Sequence, residues 1–417
     1  MTDGAHREGP PRITVLGAAL APAHAGLIAA APLVLGARRH LEAAGVPAER
    51  ALVLGPLAPA LDLLATLPEA VVLASGDPGF FGIVRVLAER FGPQSLDVRP
   101  GVSSIAEAFA RLGLPWDDAV VVSAHGRDPR AAFNICRAQR KVAVLTAPGA
   151  GPAELGAALL AMPGVLRQLV VASDLGTADE RIEAVTPAQA AARDWPGVQV
   201  VLCLGPGSGV GAMRAVAGLA PAAEPGWALP EDAFAHRDSL VTKAEVRALA
   251  LARLGPRPGE LVWDVGAGSG SIAVECARLG AAVVAVERAA DGAERVRANA
   301  AAHGVDVAVV HGAAPQALAG LPDPDAVFVG GGGADLPELV AACAARARRT
   351  VVVTLVALER LPGALAALEA AGLTVDGVQL QASRLTPLPG EVTRLAAANP
   401  VFVLWGTRAA PTSGVPQ

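Results

Sequence analysis

Leu261-Val262-Trp263-Asp264-Val265-Gly266-Ala267-Gly268-Ser269-Gly270-Ser271 is the stretch from which the fold is read. Its first five residues, four of them apolar, spell a buried strand, and the three glycines that follow spell a tight turn. Residues 271–279 then place Ile272, Val274, Ala277 and Leu279 in a helical rhythm. A strand, a glycine turn and a helix result. Glycine lets the backbone approach a ligand closely there, and the helix start offers free amides and a positive dipole end. The next strand, over 281–286, ends at Glu287, placed to accept hydrogen bonds from both hydroxyls of a ribose. Any βα junction tolerates glycine, so the turn alone has a purely structural explanation; the acid at the neighbouring strand tip weighs against it. The sixth position of the dinucleotide fingerprint is Ser271 rather than Gly or Ala, and the GxGxG spacing favours a nucleoside without a pyrophosphate.

Working outward, β-rich runs at 282–286, 307–310, 326–329, 350–354 and 401–405 continue the series. Upstream, runs at 13–17, 71–75, 120–123, 141–146, 169–173 and 198–204 alternate with helical segments. This is the βα pattern of a mostly parallel sheet in each half. Between them, residues 205–230 are dense in Gly, Pro and Ala. The fold class is therefore α/β with two domains, residues 1–207 and 229–417, joined by a linker over 208–228. Neither half repeats the other.

Composition narrows the function. With 53% hydrophobic and 18% charged residues in 417, each half can bury its own core, which excludes disorder, collagen and coiled coil. A net charge of -5, spread over 39 acidic and 34 basic residues without long runs, gives no nucleic-acid footprint. Cys136, Cys203, Cys276 and Cys343 form no CxxC pair, so neither a zinc site nor a disulfide scaffold is expected, and no metal. Residues 13–37 are uncharged and follow Arg7 and Arg12, as in a signal peptide. Pro22, Pro32, Gly17 and Gly26 interrupt that stretch, and Asp3 and Glu8 spoil its basic start. A cytoplasmic protein without a membrane span is expected.

Three further strings accompany the glycine loop: residues 238–247 (Asp-Ser-Leu-Val-Thr-Lys-Ala-Glu-Val-Arg), 312–318 (Gly-Ala-Ala-Pro-Gln-Ala-Leu) and 329–333 (Val-Gly-Gly-Gly-Gly). Together they resemble the Rossmann-like, S-adenosylmethionine-dependent precorrin methyltransferases that alkylate C15 and decarboxylate a neighbouring acetate. The likeness spans residues 229–406. It implies that Thr242, Gly266, Ala267, Gly268, Ser269, Gly270, Glu287 and Ala314 contact S-adenosyl-L-methionine. Thr242 also has a local reading, as the N-cap of a T-x-x-E capping box with Glu245. Ala313 stands where the family commonly carries Asp.

The first half carries Ser75-Gly76-Asp77-Pro78-Gly79-Phe80-Phe81, Arg99-Pro100-Gly101-Val102-Ser103-Ser104 and Ser123-Ala124-His125-Gly126-Arg127, each at the end of an expected strand. Ligands of open α/β sheets bind at that edge, so the loops suggest one crevice. Over residues 12–204 they resemble the tetrapyrrole methylase family, and Gly36-Ala37-Arg38-Arg39-His40-Leu41 resembles its C5-methylating cobalamin-pathway branch. The resemblance implies a second donor site lined by Ser75, Gly76, Asp77, Pro78, Gly101 and Ser103. That family usually opens with a GxGxG loop, whereas Gly17-Ala18-Ala19-Leu20-Ala21 keeps only the first glycine.

A tetrapyrrole methylase fused ahead of a Rossmann-like methylase resembles the bifunctional, decarboxylating precorrin methyltransferases of the aerobic cobalamin route. The implied substrate is a reduced tetrapyrrole, and both families imply a homo-oligomer. Methyl transfer from a sulfonium needs alignment and exclusion of water rather than a protein nucleophile. A carboxylate-rich precorrin needs cations, for which His236, Arg237, Lys243, Arg384 and Arg394 are candidates in the second half and His125 and Arg127 in the first. Each has an equally plain reading as a solvated surface charge. Three alternatives stay open: a non-catalytic, tetrapyrrole-holding first half, an NAD-linked oxidoreductase built on 266–270 and Glu287, and a generic small-molecule methyltransferase, since the donor site says little about the acceptor.

Overall fold

A computed structural model describes residues 11–126, 128–197, 199–210, 217–218, 226–236 and 241–409. The chain forms two compact units: one runs to Trp116 and includes 175–179, and the other comprises 117–174 and 180–417. Most of the expected linker lies outside the described residues.

The first unit is built on β1 (Arg12–Gly17), β2 (Val34–Gly36), β3 (Ala51–Val53), β4 (Glu69–Ala74) and β5 (Leu96–Arg99), all parallel in the order β3-β2-β4-β1-β5. Both faces of the sheet are covered, as parallel sheets require. Ile13, Val15, Leu35 and Val72 pack one core, and Leu16, Val34, Val71 and Leu73 the other. The chain leaves β1 toward β2, whereas it leaves β4 toward β5. The loops of these neighbouring strands therefore depart in opposite directions, which opens a crevice at their carboxyl ends. β2 and β3 escape a sequence reading because they are only three residues long, and β5 because two of its four residues are charged.

In the second unit, β6 (Val120–Ser123), β7 (Lys141–Leu145), β8 (Gln168–Ser173), β9 (Arg181–Val185) and β10 (Gln199–Leu204) form a sheet ordered β6-β7-β10-β8-β9. Only β6 and β7 pair in parallel; every other pairing is antiparallel. The expectation of a mostly parallel sheet throughout the first half fails here. The connection from β8 to β9 spans only residues 174–180, too short for a crossover.

The C-terminal sheet contains β11 (Leu261–Val265), β12 (Ala282–Glu287), β13 (Ala308–His311), β14 (Ala326–Gly330), β15 (Thr350–Leu355), β16 (Thr374–Leu380) and β19 (Val401–Thr407), ordered β13-β12-β11-β14-β15-β19-β16. The first five are parallel, and β19 pairs antiparallel with both β15 and β16. From β11 the chain goes to β12 and from β14 to β15, so the adjacent ends of β11 and β14 form the switch point. Between β16 and β19 lies a separate hairpin, β17 (Ser383–Leu388) with β18 (Val392–Ala397).

This sheet and the β6–β10 sheet share one compact unit. Met162 joins the C-terminal core, and Asn134 Nδ2 donates to the Gly259 carbonyl at 3.0 Å. Asp306 accepts from Arg140 at 2.7 Å and from the buried Arg167 at 3.0 Å, and Asp325 accepts from Arg130 at 3.2 Å. The Arg140 hydrogen bond and the charge of Arg167 hold the Asp306 carboxyl below its usual range against the opposing effect of burial.

Candidate functional site

The loop after β11 has the geometry its glycines allow. Gly266, Gly268 and Gly270 have φ of 75°, 58° and 75°, a left-handed run closed to other L-residues without strain. A Cβ on Gly266 would meet the Gly330 carbonyl oxygen at 2.8 Å, and one on Gly270 would meet Val296 at 2.8 Å. A Cβ on Gly268 meets nothing within 4 Å, so that residue faces open space at the switch point. The helix Ser271–Arg278 starts directly from this loop, and Asp264 Oδ2 accepts from the Ala273 amide in its first turn at 3.0 Å.

Glu287 ends β12 beside the loop. Its Oε2 accepts from the Gly268 amide and its Oε1 from the Ala289 amide, each at 2.8 Å, so the carboxylate is oriented while lone pairs remain for a ligand. Gly292 leaves room for it, since a Cβ there would lie 2.8 Å from Glu287 Cγ. Sequence reasoning missed Asp264. Its Oδ1 is buried without a hydrogen-bond partner among the described residues, and burial, reinforced by the charge of Glu287, pushes its pKa up to about 7. Its sequence signal was an acid inside an otherwise apolar strand.

These features fit S-adenosyl-L-methionine: an acid for a ribose, an open glycine turn at a helix start, and an orphaned buried carboxylate oxygen suited to a cationic group. Ala314 lies half-buried in the loop after β13. Thr242 is held from behind, because Arg247, fully buried, donates to the Thr242 and Leu229 carbonyls and pairs with Glu275 at 3.2 Å. Asn299 donates to the Ser269 carbonyl at 2.7 Å and to the Ala235 carbonyl at 2.9 Å, tying the glycine loop to the preceding segment.

The capping-box reading of Thr242 does not hold. Lys243 is the N-cap of the helix Ala244–Leu254 and its side chain caps nothing, while the first amide of the helix donates to Glu231 at 2.9 Å. Glu245 turns outward instead. Together with Glu231 it takes the Arg384 guanidinium, at 2.6 and 2.7 Å. The Arg384 hydrogen bond is the main reason that the Glu231 pKa falls to about 2. Arg384 is thus engaged in holding β17 to that helix, whereas Arg394 is exposed on the same hairpin face. His236 is exposed, with Nδ1 2.8 Å from the Phe234 carbonyl oxygen; Arg237 lies outside the described residues.

In the first unit, the loops after β4 and β5 meet. The Gly101 amide donates to the Gly76 carbonyl at 3.1 Å, and a Cβ on Gly17 would lie 2.4 Å from the Gly101 nitrogen. Asp77 Oδ1 accepts from the Gly79 amide at 2.8 Å, bending the loop past the buried Pro78. Ser103 caps the helix Ser104–Leu112 by accepting from the Ala106 amide. Ser75 is exposed at the tip of β4. The third loop belongs to the other compact unit: His125 is exposed there, and Arg127 lies outside the described residues. Among the described residues no cluster of His, Cys, Asp or Glu could hold a metal, and no helix is long and apolar enough to cross a membrane.

Residues 232–408 match a family model described as the precorrin methyltransferase domain, and residues 20–191 one described as tetrapyrrole (corrin/porphyrin) methylases. A precorrin-6Y C(5,15)-methyltransferase (decarboxylating) from a Sinorhizobium species is 39% identical, over 78% of this chain and 79% of that protein. One of the same name from Mycobacterium tuberculosis is 34% identical, over 75% of this chain and 77% of its own length. A probable cobalt-precorrin-6B C(15)-methyltransferase (decarboxylating) from Pyrobaculum calidifontis is 38% identical over 44% of this chain and 96% of that protein.

Proposed function

We propose, for a chain that belongs to the precorrin-6Y C5,15-methyltransferase (decarboxylating) family, a division of labour between its two halves. The chain is an S-adenosylmethionine-dependent C-methyltransferase with decarboxylase activity, acting on a precorrin in cobalamin biosynthesis. In our reading residues 229–417 methylate C15 and release the carboxyl of the ring C acetate as carbon dioxide, leaving a methyl on the ring. Residues 1–207 methylate C5. The route is the aerobic one and the protein a cytoplasmic homo-oligomer.

S-adenosylmethionine supplies an electrophilic methyl on sulfur. In the second half Glu287 accepts from the ribose, the 266–270 turn lets the backbone close on the donor, and Asp264 receives its positive charge. Thr242 and Ala314 complete the wall, and His236, Arg237, Lys243 and Arg394 are the cations for substrate carboxylates. In the first half Ser75, Gly76, Asp77, Pro78, Gly101 and Ser103 line the donor side. The reduced macrocycle supplies the carbon nucleophile and takes up the electrons left by decarboxylation. The residues therefore align the reactants and exclude water.

The observation that carries the reading is the pairing of Glu287 with the left-handed glycine turn on the same chain as a second sheet whose loops meet at its own switch point. The test is a mass spectrum of the tetrapyrrole after the full chain has acted on reduced precorrin-6Y and S-adenosylmethionine. Two added methyl groups with loss of carbon dioxide are expected. One methyl with that loss would show that only the C-terminal half is catalytic.

A further inference from the structure

At the carboxyl edge of the first sheet two side chains converge on the hydroxyl of Ser75. His40 Nε2 lies 2.8 Å from Ser75 Oγ, and Arg39 Nη2 donates to the same oxygen at 3.1 Å. His40 and Arg39 come from the short helix Arg38–Ala43 after β2, and Ser75 follows β4 directly. Ser75 therefore stands at the switch point between β4 and β1. With Arg39 donating into the oxygen, Ser75 can direct its own proton at His40 Nε2. Burial, and after it the Arg39 charge, lowers the His40 pKa and so favours the neutral imidazole, the form that can accept a proton.

The same loop shows a surface that water does not favour. Phe80 and Phe81 are 37% and 45% exposed and stack edge to face with centroids 4.9 Å apart, and Val102 on the adjoining loop is 62% exposed. Phe81 has a φ of 56°, a left-handed conformation that a bulky residue adopts only under constraint. An exposed aromatic pair held in strain, beside an arginine and a neutral histidine, suits a flat apolar ring with a carboxylate rim.

We propose that His40, acting through Ser75, accepts the proton released by methyl transfer in the N-terminal half, while Phe80 and Phe81 form the surface on which the tetrapyrrole lies. This rests on the reading that the half is a C-methylase. Transfer of a methyl cation to the macrocycle must release one proton. The new C–C bond takes its electrons from the macrocycle, the C–S pair stays on sulfur, and the macrocycle's proton passes to Ser75 Oγ as the Ser75 proton passes to His40 Nε2.

The test uses the full chain, in which carbon dioxide release by the other half is an internal control of folding. His40→Ala is expected to give a product with one methyl and loss of carbon dioxide, its second methylation slowed about a hundredfold or more. Binding of S-adenosylhomocysteine stays at two per chain, and added imidazole restores the second methyl. Phe81→Gly, which suits a left-handed φ, is expected to raise KM for the second methylation and leave its kcat. A second methyl added by His40→Ala at the wild-type rate overturns the proposal, as does loss of one bound S-adenosylhomocysteine, which would make His40 a support of the donor pocket. Failure of the underlying reading looks different: the wild-type chain itself would then add one methyl only.

Discussion

Gly17 and Gly266 begin the first loop of two parallel sheets, and they share one reason for being glycine. A Cβ on either would strike the backbone of a neighbouring strand end, Gly101 and Gly76 in the first case and Gly330 in the second. Beyond that point the loops diverge. After Gly266 come two further left-handed glycines, one of them facing open space. After Gly17, whose φ is an ordinary -59°, come alanines in two short helical turns. A glycine between strand ends is held by packing, and a glycine facing a crevice by the ligand. At this loop the first sheet carries the former and not the latter, and alanines in short helical turns close it instead.

The widest gap between the two sites is expected at Glu287, since no acid ends the strand beside Gly17: β4 closes at Ala74. Each hydrogen bond to a charged group contributes about 1.5–3 kcal/mol, so Glu287→Ala should lower kcat/KM for decarboxylative methylation by about 10²–10⁴. In calorimetric titration, bound S-adenosylhomocysteine should fall from two to one per chain. Two remaining would mean that Glu287 does not hold the donor, and the contrast between the loops would lose its functional meaning.

Asp264 sharpens the contrast next, because the residue two before Gly17 is the buried Val15. Its carboxyl, with a pKa of about 7 in the fold against an ordinary 3.8, binds a proton in the folded state that the unfolded chain has already lost. Stability from this group is therefore full below pH 4, falls as pH rises toward 7, and stays low above it. At about 1.4 kcal/mol per pKa unit the loss is on the order of 4 kcal/mol. Asp264→Asn, free of that charge, should melt above the wild type at pH 8, with the difference closing toward pH 4, and should bind S-adenosylhomocysteine more weakly. A difference in melting temperature that does not vary with pH would refute the assignment.

What the sequence disclosed follows from the same physics. The strand, turn and acid of the second half were legible because four apolar residues in a run of five, three glycines and a strand-end carboxylate are local signals. β2 and β3 were not, being too short for any period to register, and β5 was not because Asp97 and Arg99 break its apolar run. The antiparallel pairing of β8 with β9 was set by a seven-residue connection whose length mattered more than its composition. Arg384 was read as a cation for substrate because only three-dimensional pairing reveals Glu231 and Glu245 beside it. Phe80 and Phe81 stood in a quoted string yet went unread, since exposure is invisible in sequence.

The finest test separates the two kinds of glycine directly. At Gly17 a methyl would lie 2.4 Å from the Gly101 nitrogen and 2.6 Å from the Gly76 oxygen, both backbone atoms that cannot rotate away. Gly17→Ala should therefore cost the fold about 1–3 kcal/mol, seen as a lower urea midpoint for the first unit. At Gly268 the methyl meets nothing, and only the left-handed φ of 58° is penalised, by about 1–2 kcal/mol. Gly268→Ala should thus disturb the urea midpoint less than Gly17→Ala and weaken S-adenosylhomocysteine binding more, because the added carbon occupies the space the ligand needs. If Gly268→Ala destabilises without loss of affinity, the open side of that turn does not receive the donor, and both loops are packing devices alone.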